Sequence, residues 1–133
     1  MRSSFTQAAQ ILVVDDEDLH RETLCINLGD LGLHCIPASN GVEAWEKLHS
    51  RVIDLVLTDN TMEPVSGLDL LRKIKTKPSL KKIPVILFTG NPEPTLLDTA
   101  SRLGAIHLMV KPFSLNDVVE AIHKAIRKNE ESG

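Results

Sequence analysis

Short apolar runs alternate with longer stretches of mixed polarity along the chain. The apolar runs span residues 11–14, 33–37, 54–59, 85–88 and 106–110. After each run, polar residues lead into a stretch in which leucine, isoleucine, valine or alanine recurs at helical spacing. Strand-length runs that alternate with helices are typical of a parallel sheet with helical crossovers. The pattern therefore predicts five strands and five helices in a three-layer α/β/α sandwich.

The third run carries the clearest signal. Residues 53–60 read IDLVLTDN, a continuous apolar run that leads into Asp59. Continuous rather than alternating apolar character is typical of a strand that helices cover on both faces. Polar residues at the carboxyl end of such a strand lie where open α/β sheets bind their ligands. We therefore expect the rest of the domain to position and balance the carboxylate of Asp59.

Boundary signals support the helix assignments. Capping-box pairs, three positions apart, stand at three predicted helix starts: Asn40 and Glu43, Ser66 and Asp69, and Ser114 and Asp117. Gly32 and Gly104 follow predicted helix ends, and Pro94 marks the earliest start of the fourth helix. The predicted inward-facing residues are, helix by helix, Leu24, Leu28 and Leu31; Ala44, Trp45 and Leu48; Leu68, Leu71 and Ile74; Leu96, Leu97, Ala100 and Leu103; and Leu115, Val118, Ile122 and Ile126.

Length and composition fit one ordinary soluble domain. Of 133 residues, 42% are hydrophobic and 25% charged. We expect a domain over 10–128, with flexible tails at 1–9 and 129–133. The net charge is −3 and basic residues never exceed two in a row, so nothing indicates nucleic-acid or anionic-membrane binding. No apolar run approaches the ~20 residues of a membrane span, and residues 1–10 lack the apolar core of a signal peptide. A cytoplasmic location is expected.

The cysteines and histidines form no recognisable motif. Cys25 and Cys35 lie in a predicted helix and a predicted strand without CxxC spacing. We interpret them as small core residues that stay reduced, rather than as a disulfide or a ligand pair. The histidines are scattered singly, at His20, His34, His49, His107 and His123. We interpret all five as surface or helix-face residues, not as a metal set or a phosphohistidine site.

Chemically active side chains follow four of the five predicted strands. Asp15 and Asp16 follow the first, Asp59 ends the third, Thr89 follows the fourth and Lys111 follows the fifth. These ends meet at one edge of a parallel sheet. Two carboxylates ~4 Å apart repel by about 4 kcal/mol at an effective dielectric of 20. A hard cation would offset that repulsion, and oxygen ligands with room for waters suit Mg²⁺ or Mn²⁺.

A plainer interpretation applies to each of these positions alone. A single acid after a strand is often a surface residue or a helix cap, and Asp18 fits that description. Four polar sites at successive strand ends fit one common site better than four unrelated surface positions.

The ordered set of motifs resembles the receiver domain of two-component response regulators. The matching segments are VVDDE at 13–17, LTD at 57–59, Met62, Gly67, LFTG at 87–90 and KPF at 111–113. The resemblance covers about residues 10–128. It implies the flavodoxin-like strand order 2-1-3-4-5.

The resemblance also implies a metal-dependent phosphorylation site. It makes Asp59 the phosphoacceptor. Asp16 and Asp59 would be direct Mg²⁺ ligands together with the carbonyl oxygen of Thr61, and Asp15 would act largely through water. Thr89 would be the switch hydroxyl.

Lys111 would bind the phosphoryl group in such a domain, and its peptide bond to Pro112 would be cis. The family's members receive the phosphoryl group from a histidine kinase or a phosphotransfer protein. They then change the face formed by the fourth helix, fifth strand and fifth helix, which controls an output partner or domain. A receiver of this kind catalyses its own phosphorylation and dephosphorylation and is not an enzyme towards other substrates.

Three features of the sequence stand out against the family's usual pattern. Leu108 replaces an aromatic residue, and Glu63 replaces a proline that follows instead as Pro64. Thr61 and Asn91 occupy the two positions that tune phosphoryl lifetime in the family. Leu108 and Glu63 slightly favour a different function, that of a receiver-fold interaction module that is never phosphorylated, whereas the intact set of acids, threonine and lysine argues against it.

An enzyme or a nucleotide-binding protein fits the sequence less well. A Mg²⁺-dependent phosphatase with an aspartyl-phosphate intermediate would need a second acid where Thr61 stands. A flavin- or nucleotide-binding protein would need a glycine-rich or hydroxyl-rich first loop, whereas residues 15–18 are all acidic.

Overall fold

The computed structural model describes residues 8–132, with side chains to residue 131. Most of the predicted N-terminal tail, and Gly133, therefore lie outside the described residues. Strands and helices alternate in the order β1 (Gln10–Val14), α1 (Asp18–Asp30), β2 (His34–Ala38), α2 (Gly41–Ser50), β3 (Leu55–Asp59), α3 (Gly67–Thr76), β4 (Val85–Thr89), α4 (Pro94–Arg102), β5 (His107–Val110) and α5 (Leu115–Ser132).

All five strands are parallel, and their order is β2-β1-β3-β4-β5. The predicted fold and strand order are both confirmed. The register places Leu57 between Val13 of β1 and Ile86 of β4. Since β3 is central, the strand that ends in Asp59 has the ends of β1 and β4 on either side.

Two apolar cores lie on opposite faces of the sheet. Residues of α2, α3 and α4 pack against one face, where Leu12, Val56 and Leu87 are buried. Residues of α1 and α5 pack against the other face, where Leu57 and Phe88 are buried. Every residue of β3 and β4 is buried, which explains why their sequences are apolar without alternation.

Two of the predicted capping boxes are present in full. At α3, the Asp69 amide donates to the Ser66 hydroxyl over 3.1 Å, and the Ser66 amide donates to the Asp69 carboxylate over 3.4 Å. At α5, the corresponding Ser114 and Asp117 bonds measure 3.0 and 3.3 Å. These bonds satisfy amides that the helices themselves cannot.

The prediction of a capping box at α2 is wrong in one detail. Asn40 does cap α2, because its Oδ1 accepts from the Glu43 amide over 2.8 Å. The Glu43 carboxylate, however, accepts from the amide and hydroxyl of Ser39 at 2.5 and 3.1 Å. Glu43 therefore binds Ser39, the residue before the N-cap, and this contact stabilises the turn between β2 and α2.

Both predicted glycine helix ends are confirmed. Gly32 and Gly104 have φ of +90° and +100°, in the left-handed region that glycine tolerates. After α1, the Leu33 amide donates to the Leu28 carbonyl over 3.1 Å. This bond satisfies a carbonyl of the last turn and directs the chain into β2.

Two predicted inward-facing leucines are on the surface. Leu31 is 55% exposed and Leu97 is 57% exposed. Leu31 is the residue after α1, where the chain has left the helical path. Leu97 lies on the solvent side of the short helix α4, whose buried residue is Ala100. Conversely, Leu70 of α3 is fully buried, although its spacing alone had not indicated this.

Helix α5 continues to Ser132, through most of the segment predicted as a flexible tail. Good helix formers such as Lys128, Glu130 and Glu131 continue the helix, and no proline or glycine interrupts it before Gly133. None of the helices in the described part of the chain is long and apolar enough to cross a membrane.

Candidate functional site

Three carboxylates meet at the carboxyl edge of the sheet. Asp15 and Asp16 follow β1, and Asp59 is the last residue of β3. Each offers an oxygen that lies within 4.8 Å of an oxygen of the other two. Asp15 and Asp59 are buried, whereas Asp16 is exposed at the mouth of the cluster. The structure thus brings together the three acids that the sequence placed at strand ends.

Asp59 is held at both carboxylate oxygens. The Thr61 amide donates to Oδ1 over 3.1 Å, and Lys111 Nζ donates to Oδ2 over 3.3 Å. Burial raises the pKa of Asp59, and the nearby charge of Asp15 adds to the rise. The Thr61 amide and the Lys111 ammonium work against that rise in the pKa. The carboxylate is therefore oriented and shielded from water, but only partly neutralised.

Lys111 is the residue directly after β5, and its side chain extends to the site. Its amide donates to the Thr89 carbonyl over 2.8 Å, which continues the pairing of β4 with β5. Its ammonium also lies 5.1 Å from the centre of the Phe88 ring, a favourable cation–π distance. The Lys111–Pro112 peptide bond is cis, as predicted, and the Glu63–Pro64 bond is cis as well.

Thr89 ends β4 next to the acid cluster. Phe88 pairs with Asp59 in the register of β3 and β4, so Thr89 lies one residue beyond that pair. The threonine is 1% exposed, and its hydroxyl accepts from the Asn91 amide over 3.1 Å. Thr61, Thr89 and Asn91 line one open groove beside the cluster. Thr61 and Asn91, the positions predicted to tune phosphoryl lifetime, thus share a groove with Thr89, the predicted switch residue.

His20 makes a contact that its sequence position did not predict. Its Nδ1 makes a short contact with Oδ2 of Asp15, whose Oδ1 accepts from the Glu17 amide over 2.9 Å. The imidazole also packs edge-on against Phe88 and Phe113, at 5.5 and 6.0 Å between ring centres. His20 is therefore more than a surface residue. The sequence signal was its position in the first turn of α1, five residues after Asp15.

Arg21 makes a second contact that was not predicted. Its guanidinium donates to the Asp15 carbonyl and to the Asp18 carboxylate, both over 2.7 Å. Asp18 makes no side-chain cap; the N-cap residue is Glu17, also without a side-chain cap bond. Asp18 instead stands in the first turn, where a negative charge suits the helix dipole. Arg21 thereby ties the start of α1 to the loop that carries the acids.

Gly67 allows α3 to begin directly against β3. A Cβ atom at this position would lie 2.5 Å from the Asp59 carbonyl oxygen and 2.8 Å from the Asn60 Cα. Only glycine fits such a close backbone approach. Beside it, the Leu68 amide donates to the Asn60 side chain over 3.0 Å. The start of helix α3 is therefore held directly against Asp59 and Asn60 at the end of β3.

The donor set suits a small hard cation. It consists of carboxylate oxygens, with one acid open to solvent so that water can complete the coordination. Asp15, Asp16 and Asp59 could together hold such an ion. No histidine or cysteine joins this group within the described residues, which matches the preference of Mg²⁺ or Mn²⁺ for oxygen.

Comparison with known proteins gives the class. The family model of the response regulator receiver domain matches residues 11–123. The chain belongs to this family. Receiver domains are signalling switches of two-component systems rather than conventional enzymes, and they interact with histidine kinases or phosphotransfer proteins and with output domains.

Individual relatives differ in length. The chain is 34% identical to the chemotaxis protein CheY1 of Helicobacter pylori over 123 residues, which cover 91% of this chain and 99% of CheY1. It is 33% identical to the DNA-binding transcriptional regulator NtrC of Escherichia coli, covering 94% of this chain but 26% of NtrC. A receiver-domain structure from Clostridium thermocellum superposes with a TM-score of 0.87 at 31% identity, covering 94% of this chain and 99% of that one.

Proposed function

We propose that this chain is a phosphorylation-dependent switch whose phosphoacceptor is Asp59. The observation that carries the proposal is the setting of that carboxylate. It is buried at the end of a central parallel strand, paired with Lys111, and close to two further acids. Within a receiver domain, these features suit a residue that accepts a phosphoryl group from a histidine kinase or a phosphotransfer protein.

Transfer forms one bond and breaks another. A carboxylate oxygen of Asp59 attacks phosphorus, and the bond between phosphorus and the donor's imidazole nitrogen breaks. A carboxylate is a weak nucleophile, so rate enhancement comes mainly from alignment and from neutralising charge on the phosphoryl oxygens. The Thr61 amide on Oδ1 fixes the orientation of the attacking group.

Charge balance explains the need for a cation. Lys111 contributes one positive charge beside three acids, and phosphorylation replaces the single negative charge of Asp59 by nearly two. A bound Mg²⁺ would supply the missing positive charge. Asp16, Asp59 and the Thr61 carbonyl would hold it directly, and Asp15 would hold it through water. Lys111, now on Asp59, can then move to the phosphoryl oxygens.

Thr89 would report the new charge. A hydrogen bond from its hydroxyl to a phosphoryl oxygen is worth about 1.5–3 kcal/mol. That free energy shifts a two-state equilibrium by roughly 10- to 150-fold. The hydroxyl now accepts from the Asn91 amide, so engagement of the phosphoryl group would alter the turn between β4 and α4.

The proposed output surface comprises α4, β5 and α5. Leu108 of β5 is half-buried and packs against the same core as Ala100 and Leu103 at the end of α4. Leu97 and Val110 leave apolar area exposed on α4 and β5. A change in the β4–α4 turn would be transmitted to this surface through α4, and it would control a partner protein or an attached output domain.

Mass spectrometry after incubation with acetyl phosphate and Mg²⁺ tests the proposal. The wild type should gain one adduct of about 80 Da on Asp59, the mass of a phosphoryl group, and Asp59→Asn should gain none. Labelling of the Asp59→Asn variant would overturn the site.

The second candidate function is that of a receiver-fold interaction module that is never phosphorylated. Leu108 in place of an aromatic residue, and Glu63 in place of a proline, are the observations that favour it. An unlabelled wild type that still binds Mg²⁺ would support this second function.

A further inference from the structure

Positive charge is concentrated at the end of α3 and in the loop that follows it. Residues 70–92 contain six basic residues and no acid, although the net charge of the chain is −3. The six are Arg72, Lys73, Lys75, Lys77, Lys81 and Lys82. Because α3 begins beside Asp59 and its loop leads into the start of β4, this segment extends to the edge of the sheet opposite the acid cluster.

Two of these lysines lie over the ring of Trp45 on α2. Lys73 Nζ is 4.4 Å and Lys77 Nζ is 5.7 Å from the ring centre, both within the range of cation–π contacts. Lys77 Nζ also contacts His49 Nε2 at 2.6 Å, and His49 Nδ1 lies 2.7 Å from the Trp45 carbonyl oxygen. Since a carbonyl can only accept and an ammonium can only donate, His49 donates from Nδ1 and accepts at Nε2. The histidine therefore holds Lys77 beside the indole.

Lys75 fixes the loop that carries the remaining lysines. Its ammonium donates to the carbonyl oxygens of Lys81 and Ile83, both over 2.9 Å. Its stem lies under the turn after α4, where a Cβ atom at Gly104 would be 3.4 Å from its Cε. Lys81 and Lys82 are exposed on this loop. They are thus presented from a backbone that the Lys75 side chain holds in place.

The lysines beside Trp45 have no counter-charge. Among the described residues, no carboxylate lies within 4 Å of Lys73 or Lys77; of the six basic residues, Arg72 makes such a pair, with Asp69. An exposed lysine ordinarily loses rotamer freedom when it binds an anion. Here the ring of Trp45 already restricts both side chains, and the two like charges repel each other. Such a pair of ammonium groups is preorganised for an anionic ligand.

We propose that this basic patch docks a short acidic segment of a partner protein. The patch comprises Trp45, His49, Lys73, Lys77, Lys81 and Lys82. Lys73 and Lys77 stand one helical turn apart, about 6 Å, which is close to the spacing of alternate residues in an extended chain. A longer polyanion, such as nucleic acid or an anionic membrane, would also meet the rest of the chain, whose net charge is negative. The patch is separate from the acid cluster and from the proposed output surface.

The test is titration of the wild-type chain into a fluorescein-labelled hexaglutamate peptide, followed by fluorescence anisotropy. We expect saturable binding with a dissociation constant of about 1 mM or lower at an ionic strength of ~0.01 M, weakening as added salt shortens the Debye length. Trp45 is the chain's single tryptophan, so its emission should change when unlabelled peptide is added. Absence of saturable binding, or binding without a change in Trp45 emission, would overturn the proposal.

Paired substitutions locate the binding surface. Lys73→Gln together with Lys77→Gln should raise the dissociation constant by about fivefold or more, because two exposed charge pairs are lost. Lys124→Gln with Lys128→Gln is the matched control, since these exposed lysines are also four residues apart but lie on α5, across the sheet. Lys73→Arg with Lys77→Arg keeps both charges and should retain binding. Asp59→Asn should bind as the wild type does, so the result is independent of the phosphoacceptor.

Two further outcomes would overturn the proposal. Equal losses in the two glutamine variants would mean that the peptide responds only to net charge. Tighter binding of a single-stranded oligonucleotide or of phosphatidylserine vesicles than of hexaglutamate, lost in the Lys73→Gln and Lys77→Gln variant, would assign the patch to a different class of anion.

Discussion

Lys111 Nζ lies 3.3 Å from Oδ2 of Asp59, across 52 residues of sequence. The pair joins the ends of β3 and β5, two strands that β4 separates in the sheet. Its geometry depends on the whole order of the sheet rather than on any local segment. The ammonium therefore offsets part of the charge of Asp59, and under the proposed function it would already be in place to meet a phosphoryl group.

Asp59→Asn should stabilise the protein at neutral pH in the absence of Mg²⁺, by on the order of 1 kcal/mol. Burial raises the pKa of Asp59 above its ordinary value of 3.8, so the folded chain binds this proton more tightly than the unfolded chain does. The free energy of unfolding therefore falls as the pH rises from the ordinary pKa through the raised one. Urea unfolding at several pH values measures this. The advantage of the variant should shrink towards pH 3.8, and a less stable variant at pH 7 would contradict the prediction.

Asp16→Ala should weaken Mg²⁺ binding by about tenfold or more while leaving stability nearly unchanged, because the side chain is exposed. Isothermal titration calorimetry gives the dissociation constant, and labelling by acetyl phosphate should recover partly at high Mg²⁺. Asp18→Ala is the matched control, since Asp18 is a nearby acid outside the group of three. Trp45 fluorescence is expected to respond little, because that ring packs on α2 with Lys73 Nζ 4.4 Å from its centre. Equal effects of the two substitutions would mean that the acids act only through their summed charge.

His20→Leu should destabilise the fold by about 1–3 kcal/mol, the usual cost of leaving a buried polar group without its partner. The buried carboxylate of Asp15 would lose the contact at Oδ2. His20→Asn is the matched variant, because its side-chain amide can donate from a position close to that of Nδ1. Thermal unfolding measures the loss of stability, and Mg²⁺ titration measures any change in metal binding by the acids. If the asparagine and leucine variants behave alike, the ring contributes through packing on Phe88 and Phe113 alone.

Thr89→Ala should separate phosphorylation from the conformational response. The hydroxyl is not the attacking group, so labelling of Asp59 should persist. The amide shifts over 95–103 that the phosphoryl mimic BeF₃⁻ induces should shrink, as NMR spectra with and without the mimic will show. Thr89→Ser keeps a hydroxyl and should restore most of the response. Unchanged shifts in the alanine variant would remove Thr89 from the switch.

Leu108→Ala should cost about 1–2 kcal/mol of stability, as expected for a half-buried leucine. Leucine offers no flat ring that could exchange between two sites, so we expect it to be a passive contact of the core beside α4. The BeF₃⁻-induced shifts over 90–95 should therefore survive the substitution. Loss of those shifts while Asp59 still binds BeF₃⁻ would make Leu108 an active part of the switch.

The sequence predicted the elements well wherever one local cause decides them. β4 was predicted to within one residue because an apolar run stands between turn-forming residues. The meeting of Asp59 with Asp15 and Asp16 was predicted because polar residues at parallel strand ends share an edge. Predictions failed where a side chain's surroundings depend on the placement of another element. The spacing of apolar residues predicts that Leu97 faces the core, but α4 is short and only its Ala100 is buried.

The contacts of His20 with Asp15, Phe88 and Phe113 were missed for the same reason. Nothing in the spacing of α1 reveals which residues of β2, β4 or α5 its faces meet. The long-range pair of Asp59 and Lys111 was predictable in outline because both residues stand at strand ends.

The close fit of Gly67 has a mechanical consequence. On the α3 side, the backbone at Asp59 and Asn60 meets the helix start at distances that leave no room even for a methyl group. On the α4 side, a Cβ atom at Gly90 would meet nothing within 4 Å, and residues 90–95 are all exposed. The backbone around the site is therefore tightly packed on the α3 side and open on the α4 side. Under the proposed function, we expect a phosphoryl group on Asp59 to displace the backbone on the α4 side, where there is free space, rather than at the start of α3.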